Sequence, residues 1–456
     1  MRNLSVTNKS PSGQLDFLSG LRGLAALWVV LSHIWIFQSG VVTSSSRWGF
    51  LTNWLIYSHL AVDIFIVLSG YCLMLSVARE GKLKGGAIAF YKKRARRILP
   101  PYFIALACSI LLWAVVDKQI THISAVAVFA NLFLVQDMLL RYNIFDGPLW
   151  SVAVEWRIYF LFPIMVFIWK RFGRRATLAT AGLFAFAVTA SIFHYYPAFS
   201  FACPWYVFLF AMGLCAATIK SDGISPNLVK YRPFCEASLT AKLLKAVPLS
   251  KGDSEPQRAG GAFARSAPRR SRVSSPGTAH RTFTIGEAFV ASGLALAALL
   301  LLFPVTPQGG DRFGRAMPVI DVAAGILTAS FLVLVNNGWR APRLLLSSRP
   351  LVKLGLISYS VYLIHAPLLH TLAPLAMGLL KTTQFSPLQF AAFAVCDIVI
   401  TLGLGGIFFH FFERPFLSTK RTLEIAIQHT IHGDPVLSTG NRCEISDGAT
   451  VESGRR

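Results

Sequence analysis

The chain has 456 residues, of which 54% are hydrophobic and only 14% charged, with a mean hydropathy of +0.54. That balance excludes an ordinary soluble globule and predicts an all-α, polytopic membrane bundle. The formal net charge of +23 would suit a nucleic-acid binder, but its distribution follows membrane topology instead, so nucleic acid is excluded as a partner.

Ten apolar runs are long enough to cross a hydrocarbon core, near 21–38, 57–77, 101–116, 150–169, 176–193, 201–219, 286–305, 317–336, 354–378 and 388–411. The first, Leu21 to Phe37, carries Arg22 and His33. Their separation of eleven positions is about 16 Å of helical rise and about three turns, so they share a face. Ionisable side chains at such depth are costly and mark function. An imidazole also exchanges a proton near neutral pH, and His33 therefore reads as a reactive group.

The second run, HLAVDIFIVLSGYCLML, holds Asp63 near its outer end and Ser69-Gly70-Tyr71 at mid-depth. Close helix packing through small residues is the plainer reading of Ser-Gly, and interfacial decoration the plainer one of Asp63. Next comes YKKRARRILPPYF, where Arg94 and Arg97 share a helical face and Pro100-Pro101 is expected to open the third span. A positive-inside anchor accounts for Lys92 and Lys93. For the two arginines a cytoplasmic, phosphate-bearing ligand is a serious rival, because guanidinium grips phosphate bidentately.

Residues 123–140 are apolar but carry Asn131, Gln136 and Asp137, which predicts an interfacial or re-entrant segment. The fourth run, GPLWSVAVEWRIYFLFPI, places Trp150 at headgroup level and Glu155 about two turns inside. Glu155 and Arg157 are two apart and cannot meet on a helix. Glu155 thus needs a partner from another span, either a histidine whose imidazolium it stabilises or a structural hydrogen bond. Residues 220–285 lose all span character, and their Lys, Arg, Ser, Pro and Gly predict a disordered basic cytoplasmic linker. Such a stretch suits a passive connector or a contact with anionic lipid. The ninth run holds SYSVYLIHAPLL, in which Tyr362 and His365 share a face. Catalysis and helix packing both remain open for that histidine. FFERPF, containing Glu413 and Arg414, reads as a helix terminus with an interfacial ion pair.

Of the 44 Lys and Arg, 36 fall in segments assigned to the cytoplasm and 6 in those assigned outside when the N-terminus is placed inside. Both termini are accordingly expected to be cytoplasmic, with no cleavable signal peptide. The seven cysteines show no paired spacing, which supports neither a disulfide framework nor a metal site.

In order, LDFLSGLRGLAALWVVLSH, VDIFIVLSGY, KRARRILPPY, PLWSVAVEWRIYFLFP, SYSVYLIHAPLL and FFERPF resemble the acyltransferase 3 family of integral membrane acyltransferases. The resemblance implies a ten-helix domain split into residues 15–219 and 286–418. Around it lie a tail at 1–14, the linker at 220–285 and a polar tail at 419–456, too short for the hydrolase-like domain fused to some members. It also implies an acyl-CoA, often acetyl-CoA, as co-substrate with no tightly bound cofactor. The expected reaction is O-acylation of an extracytoplasmic or lipid-linked carbohydrate at a bacterial inner membrane. Membrane lipids, and a separate periplasmic acyl-handling protein, are the implied partners. Carried over by position, His33 and Glu155 are catalytic. Arg22, Arg94, Arg97, Ser69 and Tyr71 serve the donor, while Asp63, Trp150, Tyr362 and His365 are additional candidates. Residue 153 departs from the pattern, being Ala where the family often has Ser. A proton-coupled transporter using the same buried groups as a relay is the rival reading, disfavoured by the lack of internal repeats.

Overall fold

A computed structural model describes residues 12–38, 53–116, 124–139, 147–195, 202–219, 276–304, 311–381 and 386–417. Among these residues the chain is helical, with no strand, and eight helices are long and apolar enough to cross a membrane. Most of the expected linker, and both terminal tails except for their residues nearest the domain, lie outside the described residues.

Helix α1 is Ser12–Gln38 and α2 is His59–Glu80, which ends where Gly81 takes a left-handed conformation (φ 68°). Helix α3, Gly86–Val116, corrects one expectation: it runs through Pro100 and Pro101 instead of starting at them. Proline removes a backbone donor, and a membrane helix tolerates this when neighbours re-satisfy the freed groups. Beside the pair, the Tyr359 hydroxyl donates to the Ile98 carbonyl at 3.0 Å. As a result, the arginine-rich segment belongs to the same rigid rod that enters the membrane.

Helices α4 (Ala125–Leu132) and α5 (Gln136–Leu139) are too short to span, in keeping with an interfacial or re-entrant segment. Polar bonds rather than length hold them. Arg157 grips Asp137 with both guanidinium nitrogens, one of them at 2.8 Å, and also donates to the Leu134 carbonyl at 3.0 Å. Gln136 donates to the Leu149 carbonyl at 3.0 Å.

Helix α6, Leu149–Tyr195, covers two expected runs in one 47-residue stretch whose backbone leaves helical geometry at Gly173 (φ 83°, ψ −177°). Helix α7, Tyr206–Ala217, has 12 residues and is shorter than its expected span. Helix α8, Pro276–Leu302, begins ten residues before the boundary expected at 286, so the end of the presumed linker is helical. Helices α9 (Asp311–Asn336), α10 (Arg340–Leu346), α11 (Arg349–Leu379) and α12 (Pro387–Phe408) follow. Ser386 and Gln389 close a reciprocal capping box at the start of α12. A π turn, Phe409–Glu413, continues α12 into a short 3₁₀ turn, Arg414–Phe416.

The most extensive packing is α1 against α11, followed by α2 against α7. In the second pair the backbones themselves touch. A Cβ added at Gly70 would lie 2.1 Å from the Phe210 carbonyl oxygen, and one at Gly213 would lie 2.0 Å from that of Val67. Only glycine permits this approach, as in small-residue membrane crossings. Tyr71, Phe162, Tyr206 and Phe210 are buried around it and make α2, α6 and α7 one block. Against this block, α1 and α11 present their polar residues.

Candidate active site

Leu24 of α1 is 45% exposed, whereas Arg22 and His33 lie on roughly the opposite side of the helix, toward the bundle. Both remain partly accessible although their apolar neighbours Leu21, Ala26 and Ile34 are buried. They therefore face space within or between the helices rather than lipid. Two polar layers follow from their separation.

The lower layer gathers around Arg22. Its guanidinium lies in the field of Tyr159, Glu155 and Glu413. Arg94 stacks over the rings of Phe90 and Tyr159, 5.7 Å from each centroid, and shares the field of Glu155, Arg97 and Arg22. The Tyr159 hydroxyl donates to the Glu155 carboxylate and is 2.8 Å from the Ser69 hydroxyl. Glu155 and Tyr159 are one helical turn apart on α6, so the helix itself creates their contact. Arg97 is partly buried on the same helix as Arg94 and reaches the field of Tyr359. Tyr71, by contrast, is packed among apolar side chains of the core.

Two members of this layer escaped the sequence reading. Tyr159 carried no signal beyond its spacing from Glu155. Glu413 was expected at an interface beside Arg414, but it is 2% exposed and accepts from the Ser360 hydroxyl at 2.6 Å. The π turn adds a residue to the helical repeat, which rotates Glu413 inward; such bulges recur at functional sites. Arg414 lies instead 3.3 Å from His410.

The upper layer lies about 16 Å further along α1. The His33 and His365 rings meet edge to face, with centroids 4.9 Å apart at 74°. His33 Nδ1 is 2.9 Å from the Val29 carbonyl and His365 Nδ1 is 2.7 Å from that of Tyr362. The Tyr362 hydroxyl donates to the Pro148 carbonyl at 2.9 Å and lies 2.6 Å from the Ser151 hydroxyl. That contact fixes α11 to the start of α6. His33 and Glu155 share no hydrogen bond among the described residues. Glu155 falls in the lower layer because the helix start at Leu149 and the Tyr159 contact set its depth.

Asp63 belongs to neither layer. It is fully buried in the field of Asp321 on α9, close to Tyr206. Asp321 accepts from the Trp205 indole at 2.7 Å and faces His59 Nε2 at 3.3 Å. Trp150 is next to this group, its ring 6.1 Å from that of Tyr206. Asp321 lies inside an apolar run and was not singled out from the sequence.

Chemically, the lower layer offers guanidinium groups suited to phosphate. The upper layer offers imidazoles that move protons. Residues 15–406 match the acyltransferase domain model of acyltransferase family 3. Over 194 residues the chain is 26% identical to a putative peptidoglycan O-acetyltransferase, YrhL, of Bacillus subtilis, covering 39% of this chain and 28% of that one. It is 27% identical over 195 residues to nodulation protein 10 of Rhizobium leguminosarum bv. viciae, covering 39% and 51% respectively. It is also 27% identical over 180 residues to the O-acetyltransferase OatA of Staphylococcus aureus, covering 36% and 27%. The matched region thus spans about half or less of each relative. No solved structure matches the chain.

Proposed function

The chain belongs to the acyltransferase 3 family, and from that membership we propose that it transfers an acyl group, acetyl in the first instance, from cytoplasmic acyl-CoA to a carbohydrate hydroxyl. The acceptor is extracytoplasmic or lipid-linked, and the setting is a bacterial inner membrane crossed ten times. Two relatives carry names that specify O-acetyl transfer, one of them to peptidoglycan, which supports this choice of group and acceptor class.

One observation carries the reading: a single face of α1 joins an arginine layer to an imidazole layer. Arg22, Arg94 and Arg97 would hold the donor's phosphates, with Ser69 and Tyr159 beside them. The pantetheine arm of an acyl-CoA would then span the roughly 16 Å to His33. His33 acts as general base: the acceptor O–H breaks to the imidazole, the new O–C bond forms, and the C–S bond breaks. The proton then passes to the departing thiolate, so hydroxyl and thioester become ester and thiol with nothing left over. General-base catalysis of this kind is worth about 10²–10⁴-fold, and exclusion of water within the bundle protects the thioester. Glu155 serves through the arginines, balancing the charge of Arg22 and Arg94.

Mass spectrometry of surface glycans from otherwise identical cells with and without the protein tests this function. A mass gain of one acetyl per modified sugar that depends on the protein is expected. Identical glycan spectra would contradict it.

A further inference from the structure

Helices α1 and α11, far apart in sequence, bring His33 and His365 into ring contact. A backbone carbonyl holds each Nδ1, that of Val29 for His33 and that of Tyr362 for His365. A carbonyl only accepts, so in each neutral ring Nδ1 carries the proton and Nε2 a lone pair. His365 is 0% exposed, and its Nε2 has no hydrogen-bond partner. An orphaned acceptor in a dry interior is costly and calls for a role.

We propose that His365 is a positioning residue for His33, the two imidazoles holding a single proton on the Nε2 side of the pair. The inference rests on His33 being the general base. The proton taken from the acceptor hydroxyl is kept by the pair until the thiolate collects it, which leaves the balance of the transfer unchanged. His33 gains by this arrangement, because a lone imidazolium at this depth would have no counter-charge. The helices packed on α1 present few others. On α12, Asp397 is paired with Thr401 3.5 Å away, and on α2 Asp63 belongs to the Asp321 cluster. On α11, Tyr362 is committed to Pro148 and Ser151, Lys353 lies three turns below His365, and Arg343 is on α10 near the lower end. None of these charges is among the electrostatic partners of His33.

The test uses the full chain in lipid nanodiscs and diethyl pyrocarbonate, which acylates only unprotonated imidazole nitrogen. Mass spectrometry of the His33 peptide across a pH series gives its protonation midpoint without any turnover. His365→Asn keeps an N–H for the Tyr362 carbonyl but has nothing where Nε2 stood. The His33 midpoint should fall by about one pH unit, a tenfold change in proton affinity. An unchanged or raised midpoint, with or without a loss of thermal stability, would reduce His365 to a packing residue and overturn the proposal. If that variant does not accumulate, His33→Asn, read at His365, carries the same expectation and the same refutation. A wild-type protein that shows the shift but never uses acetyl-CoA would support the pairing while overturning the transferase reading.

Discussion

At the scale of residues, Glu155 separates two accounts of the same sequence motif. Its expected histidine partner lies in the other layer, and its hydroxyl partner Tyr159 ties it to the arginines. Glu155→Gln should therefore weaken donor binding, raising KM for acetyl-CoA by about tenfold, as loss of a charged hydrogen bond implies, while kcat changes little. A fall confined to kcat would return Glu155 to the base. The paired change Arg94→Lys with Arg97→Lys keeps the charge but removes the planar fork. It should also raise KM for acetyl-CoA at least tenfold with protein orientation unaltered; unchanged donor kinetics would leave the arginines as anchors. Arg22, His33 and Arg94 were legible because an ionisable group inside an apolar run announces its own cost. Their grouping was not, since depth along one helix says nothing about which neighbour faces it. Asp321 and Glu413 were missed for the complementary reason: one stands alone in its run, and the other is turned inward by a π turn that has no sequence signature here.

At the scale of elements, the apolar runs located most helices, because length and hydropathy suffice for a rod that must cross hydrocarbon. The interruptions were harder to read. Pro100-Pro101 resembled a start and is an interior feature, since a hydroxyl from α11 stands beside the altered backbone. The contact between α2 and α7 makes a separate prediction. Gly213→Ala would drive a Cβ to 2.0 Å from a carbonyl, whereas Gly406 has nothing within 4 Å. The first substitution should cost about 1–3 kcal/mol, visible as a lower melting temperature in detergent, and Gly406→Ala should not. Equal melting of the two variants would show that the helices are not in backbone contact.

At the scale of the whole molecule, the charge asymmetry of 36 against 6 orients the chain and gives the two layers their sides. A reporter inserted between Gly81 and Gly85 should score as cytoplasmic, and one at Lys381 as exported. The reverse pattern would place the arginine layer on the wrong side for a cytoplasmic donor. The central claim joins that orientation to chemistry at His33, and one measurement addresses both. Inside-out membrane vesicles carrying the protein and its natural glycan acceptors would receive labelled acetyl-CoA, and label entering the glycan would be followed over time. The wild-type protein should transfer label, and His33→Gln, which can hydrogen-bond but cannot carry the proton, should be slower by about 10²–10⁴-fold. Transfer by His33→Gln at the wild-type rate, or no transfer by the wild-type protein, would contradict the account.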